Sequence, residues 1–224
     1  MSARIVLVVE GDALLRELIA TALEIRGYTA QTAGDITEAK RIYRSVDPDG
    51  VILEIDLGPG QSGIDFAQMV RKENPAAGIV FLTQLPDSRF APTDENKMPT
   101  GIAYLRKSAL ADLNVLYDAL DVSMRGQVTK HHRHDQDAER PFAKLTTKQI
   151  EVLRLMSQGK SNAQIATARG TSLKATEDAI RRACAAIGID GSAEGNTRTR
   201  AVAKYISVVG LQSDKLEYQE LLNQ

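Results

Sequence analysis

Five short apolar runs alternate with helix-length stretches through the first 125 residues, and this alternation narrows the fold more than any other feature of the chain. The runs are Arg4 to Val9, Thr29 to Thr32, Val51 to Ile55, Gly78 to Thr83 and Ala103 to Arg106. Ala13 to Arg26, Ile36 to Val46, Gly63 to Asn74 and Leu110 to Met124 read as the helices that follow them. Near-continuous apolar runs suit strands covered by helices on both faces, as parallel sheets are. The expected fold class is therefore α/β, a doubly wound five-stranded parallel sheet. In such a sheet the functional groups gather beyond the strand ends. Here those ends carry Glu10, Glu54, Thr83 and Lys107: two acids, a hydroxyl and an amine.

The second half follows a different rule. From Leu145 to Ile189 the chain reads as three short helices. Thr146 and Thr147 offer a hydroxyl cap ahead of Ile150, Val152, Leu153, Leu155 and Met156, and Gly159 ends that helix. Ser161 and Asn162 offer the next cap, Gly170 closes a helix holding Ile165 and Ala166, and Ser172 opens a third. That third helix, Leu173 to Ile187, is expected to bury Ile180, Cys184 and Ile187. Lys174, Glu177, Asp178, Arg181 and Arg182 then fall on its open face. A tight helix-turn-helix with a cationic outer face fits the major groove of DNA. By charge pattern alone, an ordinary amphipathic bundle helix would look the same.

Composition separates the halves further. Residues 1–125 hold 13 Lys and Arg against 18 Asp and Glu, a balance of −5, and residues 141–210 hold 11 against 5, a balance of +6. An acidic first module and a basic second one suggest regulation by the first and polyanion contact by the second. The 224 residues suffice for two cores. No run approaches the length of a membrane span and no basic region leads into a signal core, so a cytoplasmic protein without membrane contact is expected. Cys184, the one cysteine, has no partner for an internal disulfide and is read as core.

The segment L-T-T-K-Q-I-E-V-L-R-L-M-S-Q-G-K-S-N-A-Q-I-A, followed by S-L-K-A-T, resembles the LuxR/FixJ-type DNA-binding domain. Arg198, Thr199, Arg200, Ala201, Val202 and Ala203 match that family's continuation into a fourth helix, commonly used to dimerise; Asp190 to Asn196 are extra residues before it. Residues 4–125 likewise resemble a response-regulator receiver domain of the CheY-like, flavodoxin-like kind, which takes phosphate onto an aspartate beside bound Mg²⁺. The resemblance makes Thr83 the switch hydroxyl, Tyr104 the switch aromatic and Lys107 the phosphoryl-pairing lysine. Together the two place the chain with response regulators of the LuxR/FixJ (NarL-like) type.

Three departures bear on function. Where the family has two adjacent acids this chain has Glu10 and Gly11, and glycine offers Mg²⁺ no ligand. Asp12 belongs to the cap of the first helix. Glu54 stands in place of the phospho-accepting aspartate, one methylene longer, and phosphoryl transfer depends on positioning and metal neutralisation. A degenerate site of Glu10, Gly11, Glu54, Thr83, Tyr104 and Lys107 is expected. In it Glu54 pairs with Lys107 or imitates phosphoaspartate, with Asp56 a remote second acceptor. Pro86, Pro92 and Pro99 disfavour a regular helix between Gln84 and Gly101.

The expected organisation is a receiver-like domain at 1–125, an exposed linker at 126–140, a helix-turn-helix domain at 141–210 and a tail at 211–224, with a short helix at Asp214 to Leu222. The linker string His131, His132, Arg133, His134, Asp135 could titrate near pH 6–7 and is assigned no metal. The expected function is a DNA-binding regulator acting as a homodimer without aspartyl phosphorylation. No enzyme activity or cofactor is expected, and the receiver-like domain is open to a regulatory protein or small ligand. An interaction adaptor with weakened DNA binding and a working phosphorelay switch are the alternatives. The expected DNA-contacting residues are Lys160, Ser161, Asn162, Lys174, Glu177, Asp178, Arg181, Arg182, Arg198 and Arg200. Glu177 and Asp178 can accept hydrogen bonds from cytosine amino groups, and the cations meet phosphates.

Overall fold

The computed structural model describes residues 3–58, 62–91, 98–189 and 196–210. It divides into two units, the described residues up to Gln136 and those from Asp137 onward.

In the first unit β1 (Ile5–Val9), β2 (Thr29–Ala33), β3 (Gly50–Leu53), β4 (Gly78–Thr83) and β5 (Ala103–Arg106) form one sheet in the order β2-β1-β3-β4-β5. Every pairing is parallel. The helices are α1 (Ala13–Ile25), α2 (Ile36–Val46), α3 (Gly63–Glu73) and α4 (Leu113–Met124). Successive strand residues face opposite sides of a sheet. Val6, Val8, Ile52, Val80, Leu82, Ala103 and Leu105 accordingly pack against Ile19 and Leu23 of α1 and Leu116, Ala119 and Leu120 of α4. The alternate residues Leu7, Val51, Leu53, Ile79 and Phe81 are buried too, as are Ile64, Phe66 and Val70 of α3. The three inner strands, β1, β3 and β4, are thus apolar on both sides, which explains their unbroken hydrophobic runs.

Short polar side chains set the helix starts. Asp12 caps α1 by accepting from Leu15 N–H at 2.9 Å, Asp35 caps α2, and Ser62 with Asp65 forms a reciprocal capping box on α3. Asp112 caps α4, so this helix begins at Leu113 and not at Leu110 as its apolar periodicity suggests; a 3-10 turn, Lys107–Ala109, precedes it. Between β4 and β5 the described residues hold one 3-10 turn, Ser88–Phe90, and no α-helix.

The expected exposed linker is corrected in its first half. Residues 130–136 make two 3-10 turns, Arg133 forms a parallel bridge to Tyr104 of β5, and Arg106 N–H donates to His134 Nδ1 at 3.2 Å. Polar composition had concealed these backbone contacts.

The second unit has α5 (Thr147–Ser157), α6 (Asn162–Arg169), α7 (Leu173–Ala186) and α8 (Thr197–Val209), the four-helix helix-turn-helix arrangement. Thr146 with Gln149, and Ser161 with Gln164, form capping boxes. Ser172 and Asn196 cap α7 and α8. Gly170 ends α6 in the left-handed conformation, which glycine adopts without steric cost. Val152, Leu153, Ile165, Ala183, Cys184, Ala201 and Tyr205 are buried in the core, and Phe142 stacks on Tyr205 at 6.2 Å. Ile180, expected to be buried, is only half-buried. Thr176 and Ala183 are fully buried instead, Thr176 with its hydroxyl 2.9 Å from that of Thr171. The expected helix at Asp214 to Leu222 and most of the extra residues from Asp190 lie outside the described residues.

Candidate functional site

The four strand-end groups converge. Glu10 follows β1, Glu54 follows β3, Thr83 ends β4 and Lys107 follows β5; parallel strands in register bring these positions to one edge of the sheet. Lys107 Nζ lies 2.6 Å from Glu10 Oε2 and 2.8 Å from Glu54 Oε2. The second oxygen of Glu54, Oε1, accepts from the Thr83 hydroxyl in a short hydrogen bond, from Ile55 N–H at 2.7 Å and from Asp56 N–H at 3.2 Å. The second oxygen of Glu10 accepts from Asp12 N–H at 3.0 Å. Both acids and Thr83 are buried. Every carboxylate oxygen therefore has a donor, as buried charges require.

One ammonium serves two carboxylates, and this stoichiometry decides the proton affinities. Burial pushes the Glu54 carboxyl up, and Lys107 and Thr83 pull it down without cancelling that rise. Burial alone would lower Lys107, but Glu54 and Glu10 carry it above the usual lysine range. The cation is over-compensated while Glu54 is under-compensated, so both groups hold protons more tightly than usual.

From this cluster a chain of contacts runs to the aromatic position. Thr83 Oγ1 accepts from Leu85 N–H at 3.3 Å, and Leu85 carbonyl accepts from the Tyr104 hydroxyl at 3.0 Å. Tyr104 is fully buried and packs against Phe81 at 6.1 Å. Gly63 fixes the other side: a Cβ there would lie 2.2 Å from Glu54 O, so the start of α3 approaches the strand end as closely as only glycine permits. Arg16, which the sequence reading passed over, donates to Glu10 O at 2.6 Å. Its signal was a cation in the first turn of the helix after β1.

The residues do not fit a divalent cation. Gly11 supplies no side chain, Asp12 caps α1, and both oxygens of Glu10 and of Glu54 are already committed. Space is not the obstacle, because a Cβ on Gly11 would meet nothing closer than Leu57 Cδ2 at 3.9 Å and Gly34 O at 4.0 Å.

In the second unit Lys174, Glu177, Arg181 and Arg182 are exposed on α7, and Asp178, half-exposed, pairs with Arg181 at 2.8 Å. The other expected contacts are less open. Arg198 donates to Asn162 Oδ1 at 2.9 Å and, in a short bond, to the carbonyl of Lys160, tying α8 to the start of α6. Ser161 is occupied as the cap of α6, and Lys160 and Arg200 are half-buried. Lys204, not expected to matter, donates to the Ile187 carbonyl at the end of α7 at 2.6 Å.

With this geometry in hand, the family model "Response regulator receiver domain" matches residues 6–93. The first unit thus has the receiver fold, and the part of it from residue 6 to residue 93 is similar to that family. Along most of its length the chain is similar to the nitrate/nitrite response regulator protein NarP of Escherichia coli (strain K12), 28% identical over 189 residues, 79% of this chain and 85% of that protein. The DNA-binding response regulator MtrA of Mycobacterium tuberculosis (strain ATCC 25618 / H37Rv) is 36% identical over 83 residues, 37% of this chain. The chain spans about a third of the length of MtrA and of TcrX, another relative from that organism. RcsB from Salmonella enterica serovar Typhimurium, solved bound to promoter rprA in the presence of phosphomimetic BeF3-, superposes with a TM-score of 0.52 at 19% identity, over 92% of this chain and 98% of RcsB. At that identity the likeness speaks for the fold alone.

Proposed function

We propose that the chain is a transcription regulator that binds duplex DNA through residues 141–210 as a homodimer, and that its receiver unit works without aspartyl phosphorylation. One observation carries the phosphorylation-independent reading: Glu54, in the acceptor's place, has both oxygens taken by Lys107, Thr83 and two backbone amides. Those donors are the ones that would otherwise receive a phosphoryl group. The glutamate occupies the position of phosphate and acceptor together and draws Thr83 and Tyr104 into one arrangement. The regulatory input is then a partner protein or small ligand, or the abundance of the chain itself.

The DNA-binding reading rests on α7, whose exposed cations flank Glu177, and on the relatives named for transcriptional or DNA-binding roles. The Asp178–Arg181 pair does not oppose it. Both partners are solvent-exposed, 77% for Arg181 and 43% for Asp178, and such pairs contribute only about 0.2–1 kcal/mol, so a phosphate can recruit the guanidinium.

Incubation with acetyl phosphate and Mg²⁺ is expected to leave the intact mass unchanged. A gain that disappears in Glu54→Gln or Asp56→Asn would make the chain a working phosphorelay switch. In gel retardation at low salt, duplex from the chain's own promoter region is expected to be shifted, Arg181→Ala to bind it much more weakly, and Glu177→Ala to relax sequence preference more than affinity. If nothing is retarded at low salt and Arg181→Ala is silent in cells, the adaptor is the better reading.

A further inference from the structure

Among the described residues of the second unit one large hydrophobic side chain is left exposed, Leu173, at 50%. A single leucine in water is ordinary on a protein surface, so exposure alone assigns it nothing. Its place in the fold is what matters. Ser172 caps α7 by accepting from Ala175 N–H at 3.2 Å, which makes Leu173 the first residue of the helix. Gly170 turns the chain just before, and the Thr171 hydroxyl lies 2.9 Å from that of Thr176, so the entry to α7 is fixed on both sides of the leucine. Thr176, Ala183 and Cys184 are the residues that α7 buries, and Leu173 is not among them.

Positions 173, 177 and 181 are four residues apart, which sets their side chains one above another on successive turns of α7. All three are exposed. The row thus begins with an apolar group at the helix N-terminus and continues with an acid and a guanidinium. Helix-turn-helix proteins present the N-terminal residues of this helix to base edges in the major groove. The three groups seek different partners there: Arg181 suits a phosphate and Glu177 an amino group. Leucine neither donates nor accepts a hydrogen bond, so the donor and acceptor pattern of a base edge gives it no partner. The apolar feature that the major groove offers is the 5-methyl group of a pyrimidine, standard on thymine.

We propose that Leu173 is a specificity-determining residue that packs on the 5-methyl group of a thymine in the bound duplex. Leu173 takes this role only if the second unit binds DNA as proposed. Four residues of helix span about 6 Å and one base step about 3.4 Å, so the thymine lies about two base pairs from the base that Glu177 reads. The contact withdraws apolar surface of both partners from water, and neither gives up a hydrogen bond to make it. Methylated cytosine carries the same group, and the test tells the two sources apart.

Gel retardation with the full chain and duplex from its own promoter region reads the contact. The duplex is prepared in three forms: with thymine, with uracil in place of thymine, and with 5-methylcytosine in place of cytosine. Uracil pairs as thymine does and lacks only the methyl. The wild type is expected to bind the uracil form about fourfold more weakly for each contacted methyl that is lost, the ratio that burial of one such carbon gives. The 5-methylcytosine form is expected to show no gain. Leu173→Ala is expected to bind the thymine and uracil forms alike, whereas Leu173→Ile, which keeps the apolar bulk, is expected to discriminate between them. Thermal melting checks that both variants are folded. Equal binding of the thymine and uracil forms by the wild type, or a uracil effect that persists in Leu173→Ala, would overturn the proposal and leave the DNA-binding reading standing. A gain on 5-methylcytosine without a loss on uracil would assign the contact to the methylated base and overturn thymine as its source. If no form is retarded at low salt, the DNA-binding reading fails and the role of Leu173 fails with it.

Discussion

At the scale of single residues the receiver site is a matter of charge count. Two buried carboxylates share the Lys107 ammonium, so deleting the cation and deleting one anion are not symmetric changes. Lys107→Met leaves two uncompensated buried acids and is expected to cost about 3–5 kcal/mol. Glu54→Gln leaves Glu10 still paired with Lys107 and removes the less well compensated charge, so it is expected to cost less than about 1 kcal/mol. Calorimetry of the full chain, following the receiver transition, separates the two; equal losses would remove this account of the cluster. The pH dependence has a definite sign. Glu54 binds its proton more tightly folded than unfolded, so its contribution falls as pH rises from its unfolded value, about 4.3, through the raised folded one. The stability difference between wild type and Glu54→Gln is therefore expected to move in the variant's favour from pH 4 toward neutrality. Lys107, also raised, contributes fully below about pH 10.4 and loses its contribution as pH climbs above that.

At the scale of elements, the start of α3 is set against the strand it serves. Because a Cβ at Gly63 would lie 2.2 Å from Glu54 O, Gly63→Ala must push the helix off the strand end. It is expected to cost about 1–3 kcal/mol, as overpacking does, and to shift the amide resonances of Ile55 and Asp56, which the Glu54 carboxylate now holds. Unperturbed resonances there would mean that the backbone gives way elsewhere. Most elements were legible because pattern and cap agree: α2 runs from Ile36 to Val46, the span its periodicity marks, behind Asp35. Where they compete, the cap prevails, and Asp112 starts α4 three residues later than the apolar pattern suggests. Ile180 was misplaced because α7 turns Thr176 and Ala183 inward, and a buried threonine leaves no hydrophobic signal. Around the site, the four strand-end groups could be read directly. The sharing of Lys107 between two acids and the ties of Arg198 could not, since side-chain direction is absent from one-dimensional spacing.

At the scale of the whole molecule, an acidic receiver and a basic helix-turn-helix share one chain, and their functions make separable predictions. If Arg181 meets a phosphate, Arg181→Ala is expected to reduce the slope of log affinity against log salt by about one unit, whereas a residue reading bases would change sequence preference and leave the slope alone. Binding titrations at several salt concentrations decide between these. For the receiver, the double substitution Gly11→Asp with Glu54→Asp is expected to create acceptance of phosphate from acetyl phosphate, seen as a mass gain requiring Mg²⁺. Neither single change should do so, since one lacks the acceptor and the other the ligand. Failure of the double variant, if it is folded, would mean that the obstruction lies elsewhere in the site. The room at Gly11 gives this test its force, because a Cβ there would make only ordinary contacts, with Leu57 Cδ2 at 3.9 Å and Gly34 O at 4.0 Å. On the proposed reading, a scaffold that takes no phosphate keeps the shape of one that could: for a builder of genetic circuits, the same protein would be a fixed component or a switch according to two side chains.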